Sequence, residues 1–150
     1  MIKILFVCHG NICRSTMAEY VMKHLVKEAG READFFIDSA ATSTEEIGAP
    51  VHHGTRRKLA QVGIPCGEHR ARQVTWGDYQ TFELIIGMDT ANLRNLHRML
   101  KGDPEGKVRK MLDYTHRPGD VADPWYTGDF DATYRDVLAG CQGLLARLTE

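Results

Sequence analysis

The sequence predicts an α/β domain built on a parallel sheet. Short apolar runs typical of buried strands alternate with longer stretches in which apolar residues recur at helical spacing. This alternation favours parallel strands joined by helical crossovers that cover the sheet. The 150 residues are enough for one domain with a sizeable core, and we take residues 1–150 as that domain.

The first half of the chain supplies two strands and two helices. Residues 2–7 form a mostly apolar run that predicts a strand buried on both faces. A stripe of apolar residues over 15–29 predicts the first helix, and residues 35–37 predict the second strand. The polar stretch 42–54 is interrupted by glycine and proline and predicts a loop, followed by a short helix over 55–62.

The second half repeats the alternation. Residues 82–87 predict a third strand, and Asp89 is placed to cap the helix that follows. Residues 107–112 predict a weaker strand at the edge of the sheet. A turn-rich stretch then leads to a last amphipathic helix over 133–148. Because ligands bind beyond the carboxyl ends of parallel strands, we expect the segments that follow the first three strands to share one rim.

The loop between the first strand and the first helix reads Cys-His-Gly-Asn-Ile-Cys-Arg-Ser over residues 8–15. A helix N-terminus offers unpaired N–H groups and the positive end of the helix dipole, so it favours an anion. Gly10 and Asn11 suit a tight loop, which would bring Arg14 round to face the Cys8 sulfur. Such a loop would hold phosphate and stabilise a thiolate. The alternative is that Cys8 is a small buried hydrophobe and Arg14 a surface residue.

A second group is needed for catalysis. When a thiolate attacks a phosphate ester, the leaving group needs an acid and the water that follows needs a base, and one carboxyl can serve both steps. Asp123 is the best-placed candidate, because Pro124 restricts its backbone and the next two residues are aromatic and could wall a flat leaving group. The alternative is an Asp-Pro turn with core aromatics.

Composition excludes several other classes. Nineteen basic against 20 acidic residues give a net charge of −1, which predicts no nucleic-acid or membrane partner. No apolar run approaches the roughly 20 residues that span a bilayer, and the N-terminal run has no signal-peptide cleavage site. Four scattered cysteines do not make a secreted disulfide scaffold, so we expect a reducing cytoplasm. No cysteine pair accompanies His52 and His53, so no metal is expected there.

The sequence resembles the low-molecular-weight protein-tyrosine phosphatases over almost the whole chain. The matching residues are the octet from Cys8, Asp38-Ser39-Ala40, His69-Arg70-Ala71-Arg72-Gln73, Met88-Asp89 with Asn92-Leu93, and Asp123-Pro124-Trp125-Tyr126. The resemblance implies a single three-layer α/β/α domain with a four-stranded parallel sheet. It also implies hydrolysis of phosphotyrosine in proteins or peptides, without metal or cofactor, with inorganic phosphate as product.

The resemblance further implies a role for each matching residue. Cys8 would be the nucleophile, Arg14 would hold two phosphate oxygens, and Asp123 would act as general acid and then as base. Ser15 would donate a hydrogen bond to the thiolate. The residues expected to hold the loop in its strained shape are Asn11, Ser39 and His69. The residues expected to contact substrate are His9, Gly10, Asn11, Ile12, Cys13, Arg14, Ser15, Trp125 and Tyr126.

Two positions depart from the family pattern. Thr16 stands where the family's first helix usually has proline, a change that should cost little. Thr44-Glu45-Glu46-Ile47 replaces a segment in which many members carry an aromatic wall, so we expect a wider, more acidic rim that disfavours acidic peptides. Cys13 lies in the same tight loop as Cys8, and we expect a reversible disulfide between them to protect the nucleophile from over-oxidation.

Three rival functions fit parts of the pattern. Arsenate reductases share the fold and a similar loop, but they relay oxidation through further cysteines, and none lies between Cys66 and Cys141 here. Protein-arginine phosphatases carry threonine where Ile12 stands, and an apolar side chain packs better on a phenyl ring. A non-catalytic phosphopeptide-binding module would have lost the nucleophile or the acid, whereas Cys8 and Asp123 are both present.

Overall fold

Four parallel strands form the centre of the protein, whose computed structural model describes residues 1–150. The strands are β1 (Ile2–Cys8), β2 (Phe35–Ala41), β3 (Leu84–Gly87) and β4 (Val108–Lys110). Their order in the sheet is β2-β1-β3-β4, and every adjacent pair is parallel. The predicted four-stranded α/β fold is confirmed, with β4 at the edge as expected.

Helices connect the strands and cover the sheet. They are α1 (Arg14–Glu28), α2 (His53–Gln61), α3 (Trp76–Thr81), α4 (Thr90–Met99), α5 (Pro124–Thr127) and α6 (Phe130–Leu148). Two 3₁₀ turns, Glu32–Asp34 and Met111–Tyr114, lead into β2 and out of β4. None of these helices combines the length and the apolar character that crossing a bilayer requires.

Alternating side chains of β1 build a core on each face of the sheet. Ile4 and Phe6 pack in one cluster with residues of α1 and α6, whereas Leu5 and Val7 pack in another with residues of α3 and α4. All four side chains are fully buried. Burying each stabilises the fold by about 1.5–3 kcal/mol, which explains why β1 is apolar on both faces. The result is the predicted three-layer arrangement.

The order of the strands places the loop after β1 at a special point. The chain moves from β1 to β2 on one side and reaches β3 on the other, so the strand order reverses between β1 and β3. In open parallel sheets the crevice at such a reversal is where ligands bind. Residues 8–15 therefore lie where the fold itself leaves room for a ligand.

The structure differs from the prediction in several elements, three of which show why. Helix α3 was not expected, because six residues are too few to show a helical period; the signal was a capping box in which Thr75 and Asp78 bond each other's backbone N–H. The edge strand is shorter than 107–112, because the chain turns into a 3₁₀ helix at Met111. Helix α6 starts before residue 133, because Asp129 caps it by accepting a hydrogen bond from Ala132 N at 2.9 Å.

Candidate active site

A cavity of about 110 Å³ lies beyond the carboxyl end of β1, at the N-terminus of α1. Its lining residues are Cys8, His9, Gly10, Ile12, Cys13, Arg14, Glu45, Glu46, Asp123, Trp125 and Tyr126. The structure thus brings together the proposed nucleophile, the arginine, the carboxyl and the two aromatics named from the sequence. The side chains of Asn11 and Ser15, also expected to contact substrate, are buried and do not line the cavity, so their contact with substrate stays a prediction.

The loop turns its backbone carbonyls outward. Thr42 N donates to the Cys8 carbonyl at 3.0 Å, Ser43 N to that of His9 at 3.1 Å, and His52 N to that of Ile12 at 2.9 Å. The N–H and C=O groups of one peptide unit point in opposite directions. The following N–H groups in the chain therefore turn toward the cavity, where they supply the positive lining that an anion needs.

The Cys8 sulfur has two hydrogen-bond partners at the base of the cavity. Ser15 Oγ lies 3.0 Å from Cys8 Sγ, and the Asn11 backbone N–H donates to the sulfur at 3.3 Å. Both groups are placed to donate a hydrogen bond to the sulfur, and an anionic sulfur accepts such bonds better than a neutral one. Cys8 is the last residue of β1, and its buried side chain lines the cavity.

Asn11 joins the loop to the scaffold behind it. Its φ of 59° lies in the left-handed region, where asparagine is tolerated far better than most residues. Its Nδ2 donates to Ser15 Oγ at 2.8 Å and to Ser39 Oγ at 2.9 Å, and its Oδ1 lies 2.7 Å from His69 Nε2. All capacity of this buried amide is used, so it fixes the loop in one shape.

Behind Ser39 and His69 lies a buried acid, Glu19 of α1. Ser39 Oγ donates to Glu19 Oε1 at 2.6 Å, and His69 Nδ1 lies 3.4 Å from the same oxygen. Asp38 Oδ1 is also 3.4 Å from His69 Nδ1. Glu19, Asp38 and His69 bring potential ligand atoms within 4.8 Å of one another, as in a cation site. However, Lys23 Nζ pairs with the other Glu19 oxygen at 2.7 Å and Arg72 Nη2 with Asp38 Oδ2 at 3.1 Å, so each carboxylate already has a cationic side chain as partner.

Arg14 is held from behind by two acceptors. Its Nη1 donates to Asp89 Oδ2 at 2.7 Å and to the Val121 carbonyl at 2.9 Å, and its side chain is only 3% exposed. Burial alone lowers the pKa of Arg14, but the facing Cys8 thiolate and the two aspartates more than offset this and raise it. A permanently charged guanidinium with one nitrogen anchored can present its remaining N–H groups to two phosphate oxygens.

Asp123 faces the same guanidinium from the opposite side. Its Oδ2 lies 3.4 Å from Arg14 Nη2, and its Oδ1 accepts from Trp125 N at 3.0 Å as the N-cap of α5. A quarter of its side chain is exposed, through the mouth of the cavity. The carboxyl therefore stands between the phosphate loop and the solvent, where a leaving group would depart.

The rim is acidic on one side and aromatic on the other. Glu45 pairs with His9 of the loop at 2.8 Å, and the Glu46 side chain lies over Gly10. Across the opening, Trp125 and Tyr126 are 60% and 85% exposed, so they flank the entrance and do not fill it. The acidic rim expected at residues 45–46 is thus present in the structure.

The second cysteine of the loop, Cys13, is buried beside the cavity. Burial, followed by the nearby Cys8 and Asp123, raises the pKa of the Cys13 thiol to about 12. Cys13 is therefore a neutral thiol at physiological pH, and all four cysteines are unpaired. The protective disulfide with Cys8 stays a prediction.

Sequence reasoning missed three contributors to this site. They are Glu19, the ion pair that Asp89 forms with Arg14, and the Val121 carbonyl. All three lie behind the residues that line the cavity. Glu19 had a signal in the sequence, because it is the one charged residue between the apolar pairs Met17-Ala18 and Val21-Met22. The Val121 contact had none, since a backbone carbonyl carries no residue identity.

The fold and the cavity together define a class of protein: an α/β protein whose first strand-to-helix loop holds a thiol in an anion-favouring cradle. A family model described as low molecular weight phosphotyrosine protein phosphatase matches residues 3–150. The chain is 39% identical over 150 residues to the low molecular weight protein-tyrosine-phosphatase YfkJ of Bacillus subtilis, covering 99% of this chain and 96% of that protein. It is 40% identical over 149 residues to the low molecular weight phosphotyrosine protein phosphatase of Gallus gallus, covering 96% and 94%.

Solved structures give the same result. The crystal structure of Bacillus subtilis YfkJ superposes with a TM-score of 0.96, covering 99% of this chain and 95% of that one. DARP, a Drosophila arginine phosphatase, superposes with a TM-score of 0.92 at 29% identity, with 99% of both chains covered. The chain therefore belongs to the low-molecular-weight phosphotyrosine protein phosphatase family, a family of hydrolases, and the resemblance seen in the sequence is confirmed.

Proposed function

We propose that this protein hydrolyses phosphotyrosine in proteins and peptides, and small aryl phosphates, through a cysteinyl-phosphate intermediate. Cys8 is the nucleophile, Arg14 binds the phosphate, and Asp123 is the general acid and then the base. The observation that carries the proposal is the convergence of these three groups on one cavity at a helix N-terminus. Inorganic phosphate is the second product, and neither metal nor cofactor takes part.

In the first step the Cys8 thiolate attacks phosphorus. The S–P bond forms while the P–O ester bond breaks, and the departing phenoxide takes a proton from Asp123. Loop N–H groups and Arg14 hold the three phosphoryl oxygens, where charge is greatest in the transition state. Phosphate bound to Arg14 Nη2 replaces the 3.4 Å contact with Asp123, which leaves that carboxyl free to carry the proton.

In the second step water attacks the cysteinyl phosphate. Asp123, now a carboxylate, takes a proton from the water as the new P–O bond forms and the S–P bond breaks. Phosphate leaves and the thiolate returns, stabilised by Ser15 Oγ at 3.0 Å and the Asn11 N–H. Because Asn11, Ser39 and His69 hold the loop in position, little reorganisation is needed in either step.

The walls of the cavity favour an aryl group. Ile12 lines one side, and Trp125 and Tyr126 stand across the opening, so a phenyl ring can pack between apolar surfaces. Phosphoarginine is the second candidate substrate, because an arginine phosphatase shares the fold at a TM-score of 0.92. A charged guanidinium would be poorly matched by the apolar Ile12 side chain, which is why we favour tyrosine.

We also propose that residues 1–150 act as one catalytic domain in the reducing cytoplasm. Four unpaired cysteines suit that compartment, since a nucleophilic thiolate persists only where thiols stay reduced.

The test is hydrolysis of p-nitrophenyl phosphate, a phosphotyrosine peptide and a phosphoarginine peptide, in chelator, by wild type, Cys8→Ser and Asp123→Asn. We expect turnover by wild type, none by Cys8→Ser, and a loss of about 10²-fold or more for Asp123→Asn on the phosphotyrosine peptide. Preferential cleavage of phosphoarginine would move the substrate assignment to arginine. Binding of phosphate or phosphopeptide without turnover would mean that the loop is only a binding site.

A further inference from the structure

His52 lies where the phosphate loop, helix α2 and the segment of Asp123 meet. Its backbone N–H donates to the Ile12 carbonyl at 2.9 Å, and its ring Nδ1 accepts from Gly54 N at 3.0 Å to cap α2. We propose that His52 is a positioning residue whose imidazole, in contact with Trp125, holds the Asp123 segment against the phosphate loop. The inference rests on the proposed role of Asp123 as the acid.

The backbone of His52 is fixed relative to the nucleophile. The hydrogen bond to Ile12 ties it to the middle of the loop that starts at Cys8. Its ring is oriented by the cap to α2, because accepting from Gly54 N requires Nδ1 to be unprotonated and aimed at the helix. Burial, followed by the neighbouring His53, lowers the pKa of His52 while Glu46 opposes this, so the neutral ring needed for the cap prevails.

The ring then contacts the segment that carries the acid on two sides. The His52 and Trp125 ring centroids are 5.9 Å apart at 78°, an edge-to-face contact, and the His52 and Phe130 centroids are 5.4 Å apart and stacked. Both distances fall in the range of favourable aromatic pairs. Phe130 also packs directly on the Gly54 backbone, where any Cβ would clash with its ring.

This contact matters because Pro124 is the one buried residue of α5. A helix of four residues is unstable alone, and Trp125 and Tyr126 are mostly exposed. Trp125 also supplies the N–H that fixes Asp123 Oδ1 at 3.0 Å. A shift of the Trp125 backbone, which the indole contact with His52 restrains, therefore moves the carboxyl. Misplacing a catalytic group by about 1 Å can cost about 10²-fold.

Two substitutions separate the ring from the cap. His52→Asn keeps an acceptor for Gly54 N and removes the ring, whereas His52→Phe keeps a ring and removes the acceptor. His53→Asn is the matched control. The His53 ring stacks on that of His52, with centroids 4.3 Å apart, but it is not the ring that pairs with Trp125. The readout is kcat/KM for phenyl phosphate divided by kcat/KM for p-nitrophenyl phosphate, since phenoxide needs the acid's proton far more than nitrophenoxide does.

We expect His52→Asn to lower this ratio about tenfold in the wild-type background. In the Asp123→Asn background, the same substitution should not lower the ratio further. His52→Phe should keep the wild-type ratio while its Tm falls, and His53→Asn should change neither. An unchanged ratio in His52→Asn, with a lowered ratio in Asp123→Asn, would make His52 a helix cap only and overturn the inference. An unchanged ratio in Asp123→Asn would instead overturn the proposed role of Asp123, and the inference with it.

Discussion

Asp89 uses its two carboxylate oxygens for two different tasks. Oδ2 lies 2.7 Å from Arg14 Nη1, while Oδ1 accepts from Asn92 N at 2.7 Å as the N-cap of α4. Since α4 follows the end of β3, this one side chain ties the arginine of the cavity to the rigid sheet. The orientation of the guanidinium is thus set by a helix that contributes no residue to the cavity lining.

Asp89→Asn should lower activity with little loss of stability. Asparagine caps helices as well as aspartate does, so α4 keeps its N-cap, but the charged contact with Arg14 becomes a neutral one. We expect kcat/KM for p-nitrophenyl phosphate to fall about tenfold, equivalent to about 1.4 kcal/mol. The control is Asp129→Asn, the same change at the N-cap of α6. Equal kcat/KM in the two variants would argue against orientation by Asp89.

The left-handed backbone of Asn11 can be measured apart from its hydrogen bonds. Asn11→Gly and Asn11→Ala both lose the contacts with Ser15, Ser39 and His69, but only alanine also strains the backbone at φ 59°. In urea unfolding we expect both to be destabilised, alanine by about 1 kcal/mol more.

The matched control for this pair is Lys101, an exposed residue with φ 56°. Replacing it by glycine and alanine should give a similar difference in stability with full activity retained. If glycine and alanine at position 11 were equally stable, the loop would have to relax out of the left-handed conformation.

The acidic rim should select against acidic peptides. Glu45→Gln removes one charge near the opening and alters the 2.8 Å hydrogen bond to His9, and Glu45→Trp adds an aromatic wall as well. For an acidic phosphotyrosine peptide we expect kcat/KM to rise about two- to fivefold in Glu45→Gln and further in Glu45→Trp. Values for p-nitrophenyl phosphate should change little. A gain that persists unchanged at high salt would contradict an electrostatic cause.

Asp120 should stabilise the protein in a pH-dependent way. Although burial opposes it, hydrogen bonds from Lys110 and Thr90 lower the pKa of Asp120 from its usual 3.8. A lowered folded-state pKa adds stability that is complete above the unfolded value and is lost as the pH falls through the folded value. Asp120→Asn should therefore be less stable than wild type at about pH 7, and the difference should shrink toward about pH 3. Chemical denaturation at both pH values measures it.

A feature could be predicted from the sequence when the residues that form it are neighbours in the chain. The buried strand β1, the cap at Asp89 and the loop from Cys8 to Ser15 all follow from residues next to one another. The resemblance then identified Ser39 and His69, which no spacing rule connects to Asn11 although their side chains lie within 3 Å of its amide. Residues whose role depends on a partner far away in the chain could be found only through the family pattern.

Other features were beyond the sequence because they depend on tertiary packing. The aromatic contacts of His52 with Trp125 and Phe130 join residues about 70 positions apart. From the sequence alone, two adjacent histidines in a predicted loop indicate only an exposed position. The same holds for Glu19, whose burial beside Ser39 is decided by where β2 passes α1. Helix α3 was too short for a periodic pattern to reveal.

The position of the site along the chain has a consequence for biosynthesis. Cys8 leaves the ribosome 115 residues ahead of Asp123, which at roughly 5–20 residues per second is an interval of roughly 6 to 23 s. The central strand β1 pairs with β3, and α1 packs in the same core as α6, so both need segments that are synthesised later. Every nascent chain therefore carries Cys8 through that interval without the cavity that encloses it in the folded protein.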